Sequence, residues 1–417
     1  MIRFLFCFSA ILISALSIPP VALAQGNPIA PAPRQLDTTP IRDLVHLVNT
    51  IIEENPDCNA TIARLGRLDW KSCQDSCAPY IARNAENPRI AEELEALLGS
   101  PAYQLCFRQF TILTPDWYRK FVYGLPYIAV DGPGGGIGET LLELCRHRTE
   151  VAGWYADAVS SVAPARAIAI AQEWLPPGEY ATPPTYFVYG MGGDAFAREG
   201  QVCFDLYSIV LGDRPASVRF TGLSEIGTER IERVLAHEFH HVFSEDMIYA
   251  GTDPGLSWQQ RWRGRLVRAL VSEGTAMHCD PRQGIEREVR RDTVVIRYWI
   301  SSLNEKLAAV DAGSTSESDL RAWYDSTYHD LPRDLLRDFL TRRFPDRDLD
   351  SLFAENASHR PDLTHTLGWW MVSRLSEGGQ KERVMQLLSS PDSLFAWYNE
   401  SAGSADQSLL IAPSQVK

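Results

Sequence analysis

Apolar and polar positions along this 417-residue chain recur mostly at three- and four-residue spacings, the period of amphipathic helices. The helical pattern runs from Ile41 to about Ala181 and includes Ile41 to Ile52, Ala91 to Leu98 and Ile137 to Cys145. Strand-like runs occur at Tyr186-Phe187-Val188-Tyr189 and Val202-Cys203-Phe204-Asp205-Leu206-Tyr207. The breaker-rich Gly190-Met191-Gly192-Gly193-Asp194 separates them, so they predict a hairpin. Helical spacing returns at Thr228 and dominates from there. The expected fold class is α+β, mostly α: a helical N-terminal region packed on a core with a small β-sheet or hairpin. No internal repeat is evident, and the length suits one large or two medium domains. The expected divisions are an extended linker at 25–40, a helical region at 41–181, a core at 182–402 and a tail at 403–417.

The segment from Thr228 carries the chemistry. Ile231, Val234, Leu235, Glu238 and Val242 share one stripe of the predicted helix. Gly227 stands before it as a breaker, Thr228 is its candidate N-cap, and Glu229 and Glu232 suit the positive end of the helix dipole. Within it lies His237-Glu238-Phe239-His240-His241, an H-E-x-x-H pattern. Residues four apart share a helix face, so His237 and His241 can converge on one cation with Glu238 beside them. The competing reading is an ordinary surface helix with solvated or core histidines. Val234, Leu235 and Val242 draw that face inward, where ionisable groups need partners.

A catalytic zinc with two histidines needs a further protein ligand and keeps its fourth position for water. Trp258 to Cys279 again predicts a helix, with Leu266, Leu270, Glu273 and Met277 on one stripe and Arg261, Arg265, Arg268 and Ser272 largely on the other. A carboxylate on an apolar stripe is costly unless it ligates a metal or pairs with an arginine, and both remain open for Glu273 at this point. The small neighbours Ser272, Gly274, Thr275 and Ala276 would let this helix approach the motif helix closely.

HEFHH followed by SEGTA resembles the gluzincin, thermolysin-like clan of zinc metallopeptidases, most of all its little-characterised branches. The similarity extends from about Pro184 to about Leu375, and only those two segments are specific. It implies a zincin-like core with one zinc per chain, held by His237, His241 and Glu273, and Glu238 as general base. It also implies an edge strand near the predicted hairpin that pairs with an extended peptide or protein substrate, although the hairpin alone reads equally as a plain cover for the core. A tyrosine or histidine of the clan stabilises the oxyanion, and His365-Thr366-Leu367-Gly368 makes His365 the candidate, with Tyr324 and Tyr328 as competitors. Clan members often carry an aspartate four residues after the glutamate ligand; here that position is Met277, so the partner supporting the histidines is unassigned.

Met1-Ile2-Arg3, the apolar stretch Phe4 to Ile18 and Ala22-Leu23-Ala24 predict a signal peptide at 1–24, cleaved after Ala24, and hence a secreted or periplasmic protein. No later run is apolar enough for stable membrane insertion. An oxidising compartment favours structural disulfides among Cys58, Cys73, Cys77, Cys106, Cys145, Cys203 and Cys279, the first four clustering in a helical region. The net charge of −13 argues against nucleic-acid binding. Two motif-like stretches fade on inspection. Asp346 to Ala357 lacks the glycine and final glutamate of a calcium loop, and Gly132 to Gly138 lacks nucleotide-loop spacing and reads as a flexible connection. The expected function is an exported zinc metallopeptidase. A noncatalytic zinc-containing peptide-binding protein and a metal-dependent hydrolase of a nonpeptide bond are the alternatives, and an intact Glu238 weighs against the first.

Overall fold

The computed structural model describes residues 36–55, 80–110, 113–125, 135–191, 195–205, 207, 225–250, 255–280, 285–329, 331–345, 347–348, 363–377, 379–403 and 407–412. The signal-peptide segment, Cys58, Cys73, Cys77 and nearly all of the calcium-loop-like stretch lie outside them. Most described residues are helical and a four-stranded sheet accompanies them, so the fold is α+β and mostly α. The chain divides into two compact units, one formed by residues 1–164 and 182–232, the other by 165–181 and 233–417.

The first unit builds its core from helices α1 (Thr39–Glu54), α2 (Pro88–Leu98), α3 (Pro101–Gln109), α4 (Pro115–Tyr123) and α5 (Gly135–Ser161). On α1 the residues Ile41, Leu44, Val45, Val48, Ile51 and Ile52 are buried, the 3.6-period stripe that the sequence predicts. Pro at the first or second position starts α1 to α4, where a missing N–H costs nothing. Gly135, Gly136 and Gly138 lie in the first turn of α5 and not in a flexible connection, because the helix extends well beyond the predicted Ile137 to Cys145.

The sheet has strand order β1-β2-β4-β3, with β1 at Leu36–Asp37, β2 at Thr185–Val188, β3 at Ala195–Arg198 and β4 at Gln201–Asp205. The two strand runs expected to form a hairpin are instead parallel neighbours, with Tyr186 opposite Cys203 and Phe187 opposite Phe204. The hairpin partner of β4 is β3, and the tight turn is Glu199-Gly200, both at positive φ, 54° and 72°. Two central residues at positive φ match the twist of a hairpin, and the short run before the turn gave no alternation by which to recognise β3. Leu36 and Asp37, expected within an extended linker, add a parallel strand to β2.

Of the described cysteines, Cys106, Cys203 and Cys279 are buried free thiols, and Cys145 is buried. Cys106 on α3 and Cys203 on β4 face each other with Sγ atoms 3.3 Å apart.

Helix α7 (Glu225–Tyr249) carries the H-E-x-x-H motif, and the unit boundary falls within it. It starts before Thr228, so Gly227 lies inside the helix and Thr228 is not its N-cap; Thr228 Oγ1 instead meets Ser161 Oγ at 3.3 Å. Glu232 is buried, and its carboxylate accepts a hydrogen bond from Ala163 N–H at 3.1 Å. The core stripe of α7 is Ile231, Leu235 and Phe239, while Val234 and Val242 are half-buried.

In the second unit α8 (Trp258–Ala276) opens with a capping box between Ser257 and Gln260. Helix α10 (Thr293–Asp311), α11 (Glu317–His329) and α13 (Leu363–Glu377) pack around it on Leu266, Leu270, Ile296, Trp299, Leu303, Leu367 and Met371. Of the small residues of SEGTA, Gly274 serves an approach of α13 rather than of α7. A Cβ on Gly274 would stand 2.5 Å from Gly368 O, and one on Gly368 would stand 2.4 Å from Leu270 O. Backbone meets backbone at that crossing of α8 and α13, so neither position has room for a methyl group. Gly368→Ala is expected to destabilise the protein by about 3 kcal/mol or more, since the helices must separate. Gly153→Ala is the control, because a Cβ there on α5 meets nothing within 4 Å. It is expected to stabilise by about 0.5–1 kcal/mol through helix propensity, read by denaturant unfolding of both variants.

Candidate metal centre

The α8–α13 crossing puts two side chains of opposite chemistry side by side. Glu273 precedes Gly274 and His365 stands one turn before Gly368, and His365 Nε2 lies 3.0 Å from Glu273 Oε2. From α7, His237 Nε2 lies 3.6 Å and His241 Nε2 3.3 Å from the same oxygen. The two motif imidazoles face each other, Nε2 to Nε2, at 3.0 Å.

These distances fit a metal. Zinc bonds of about 2.0–2.1 Å at tetrahedral angles place neighbouring ligand atoms about 3.3 Å apart, the mean spacing of His237, His241 and Glu273 here. Ligand atoms of the three residues all lie within 4.8 Å of one another, and among the described residues they are the group able to hold a cation. Glu273 Oε2 is buried with no hydrogen-bond partner although three ring nitrogens stand near it. A cation at their common point would take up lone pairs that converge there. Glu273 forms no pair with an arginine among the described residues, so the alternative left open for it does not hold.

Ionisation favours the same reading for His237 and Glu273. Burial drives the His237 imidazole down to about 3 against the pull of Glu273, leaving it neutral and able to ligate. For Glu273, burial acts to raise the carboxyl, but the charges of His365 and His241 hold it well below the usual range. Burial likewise acts to lower His241, and the Glu273 and Glu238 charges outweigh it and raise the ring. Glu238 is buried at 6% exposure on α7, close enough for its charge to act on His241. The middle histidine, His240, is driven to about 3 by burial and sits 3.4 Å from Trp174 O through Nε2, away from the cluster.

One supporting feature escaped the sequence. His241 Nδ1 meets Ser272 Oγ at 3.0 Å. In the tautomer whose Nδ1–H donates to Ser272 Oγ, the Nε2 lone pair faces the cluster, so Ser272 is placed to do the orienting that an aspartate at position 277 would otherwise do. Met277 is itself fully buried, with Arg290 Nη2 3.8 Å from its sulfur. Ser272 and Arg268, assigned to the polar stripe of α8, are both buried. Helical period says which residues share a face but not that two faces are covered, and that is why both were misplaced. No sequence signal separates Ser272 from other helix serines.

Of the oxyanion candidates, His365 is in the cluster, its ring nearly parallel to that of His237 at 8° with centroids 6.1 Å apart. Tyr324 is buried on α11, and the side chain of Tyr328 lies outside the described residues.

Residues 137–331 match the model of a family described as "putative zinc dependent peptidase" (DUF5700). The match covers a little under half of the chain; it includes His237, Glu238, His241, Ser272 and Glu273 and ends before His365. No curated protein and no solved structure matches the chain. A zinc-peptidase family is thus supported at a coarse level, and the donor set agrees with the metal it implies.

Proposed function

We propose that this chain is an exported zinc metallopeptidase of gluzincin type that hydrolyses peptide bonds, binding one zinc through His237, His241 and Glu273. The observation that carries the reading is the convergence of those three donors on one point with an ionisable carboxylate, Glu238, buried beside them. A site that only held the fold together would close its coordination with four protein ligands and would need no base. Zinc bound there supplies Lewis acidity, polarising the scissile carbonyl and lowering the pKa of the attacking water. Glu238 takes the proton of that water and passes it to the leaving amine. His365 donates a hydrogen bond to the oxygen of the carbonyl under attack as its negative charge develops. Ser272 holds His241 in the tautomer that leaves Nε2 free.

Metal analysis of the purified protein together with a peptide-library cleavage assay tests the reading. One zinc per chain and zinc-dependent cleavage are expected; zinc at full occupancy with peptides bound and none cleaved would favour the noncatalytic alternative. His365→Phe is expected to lower kcat about a hundredfold while leaving KM and zinc content nearly unchanged. A loss of zinc in that variant would instead make His365 a support for Glu273.

Export is the second part of the proposal. In an oxidising compartment the facing thiols of Cys106 and Cys203 would close to a disulfide by exchange with a disulfide donor, which leaves as two thiols. Intact mass reads both parts at once: the exported protein is expected to lack residues 1–24 and to gain mass at Cys106 and Cys203 on alkylation only after reduction. Retention of the N-terminus, or alkylation of both cysteines without reduction in the unfolded chain, would count against it.

A further inference from the structure

Arg268 is a buried charged group in the second unit that the zinc chemistry leaves unused. It is only 9% exposed, its Nε is buried without a hydrogen-bond partner, and it forms no ion pair among the described residues. A buried guanidinium with no ion pair among the described residues is costly to keep, and an anion brought to it offsets that cost. Space is kept for the head group. Nη2 lies 2.7 Å from where a Cβ on Gly264 would stand, so any larger residue one turn back would displace it.

Its position ties it to the metal centre. Gly264, Arg268 and Ser272 follow at four-residue intervals along one face of α8, and Ser272 is the residue that meets His241. Arg268 therefore stands one turn from the histidine's support and about 7.5 Å along the helix axis from the ligand Glu273. Tyr249 lies two turns beyond His241 on α7. Its phenol is raised to about 12, first by burial and then by the charges of Glu273 and Glu245, with Arg268 opposing them. The charges of Glu273, Glu245 and Arg268 all reach that phenol.

We propose that Arg268 anchors a carboxylate of the substrate, one to two residues from the scissile bond. This rests on the peptidase reading and names its substrate class: peptides with an anionic group close to the cleaved bond. The planar fork of a guanidinium matches a carboxylate in two parallel hydrogen bonds, and an extended peptide advances about 3.3–3.6 Å per residue, so one to two residues bridge the gap. The carboxylate is supplied either by the C-terminus of a short peptide or by an acidic side chain.

The test uses the full-length, zinc-loaded protein and calorimetric binding of three N-acetylated dipeptides: one with a free C-terminus, its C-terminal amide, and an amide with aspartate at its second residue. The wild type is expected to bind a carboxylate form about ten- to a hundredfold more tightly than the plain amide. Preference for the free C-terminus points to cleavage near chain ends, and preference for the aspartate amide points to acidic sequence. Arg268→Met is expected to erase the difference while leaving plain-amide affinity unchanged. Arg268→Lys, which keeps the charge without the fork and is the milder change should the first variant fold poorly, is expected to reduce it. Equal binding of all three peptides by the wild type, or discrimination that survives in both variants, overturns the proposal. A protein that discriminates but cleaves nothing would retain the anion site and remove the peptidase reading, so the two failures are distinct.

Discussion

Glu273→Ala is expected to strip the protein of zinc. The carboxylate is the sole anionic donor in the cluster, with His237 and His241 Nε2 3.6 and 3.3 Å from its Oε2. Two imidazoles alone leave the cation half-coordinated and uncompensated in charge inside a buried site. Loss of a residue that merely supports a ligand lowers metal affinity about 10–100-fold, and loss of the ligand itself is expected to exceed that. The measurement is zinc content after dialysis against a weak chelator, with circular dichroism to confirm that the helices remain. Full zinc retention would remove Glu273 from the ligand set and leave the third donor to be sought elsewhere.

Glu238→Gln is expected to do the opposite: zinc stays and hydrolysis disappears. The amide occupies the same volume at a position only 6% exposed, so the packing of α7 has no reason to change. It has no basic site to accept a proton from water, and general-base catalysis contributes about 10²–10⁴-fold. A kcat lowered by at least about a hundredfold, with zinc content and thermal midpoint unchanged, is the expected result. One side effect follows from the electrostatics. The Glu238 charge helps to raise His241, so the variant should bind zinc at somewhat lower pH, because less competition from the proton remains. Activity within a few-fold of the wild type would transfer the role of base to another group.

Legibility differed along the chain according to how local the physics is. The two motif histidines and Glu238 were readable because a single helix sets their relation: four residues make one turn whatever surrounds it. Glu273 was readable as an anomaly, an acid on an apolar stripe, and the structure answers with three imidazoles in place of the arginine that stood as its alternative. Helices such as α1, with its single buried stripe, were visible for the same local reason. The predicted hairpin was not, because Val188 and Asp205 are parallel neighbours paired across many intervening residues, and pairing at that range leaves no periodic trace.

The sequence alone therefore determined the donor types, their spacing on α7, the mostly helical class and the chemistry they suggest. The tertiary structure decided which surfaces meet. It spent Gly274 of SEGTA on the crossing with α13, where Gly274 and Gly368 bring backbones too close for any side chain, and so set Glu273 beside His365. It also turned Ser272 toward His241 and enclosed Arg268 with no ion pair among the described residues. Each of these depends on how far apart two helix axes lie and on which second face becomes covered, quantities that side-chain volumes across a contact fix and the spacing within one segment does not contain.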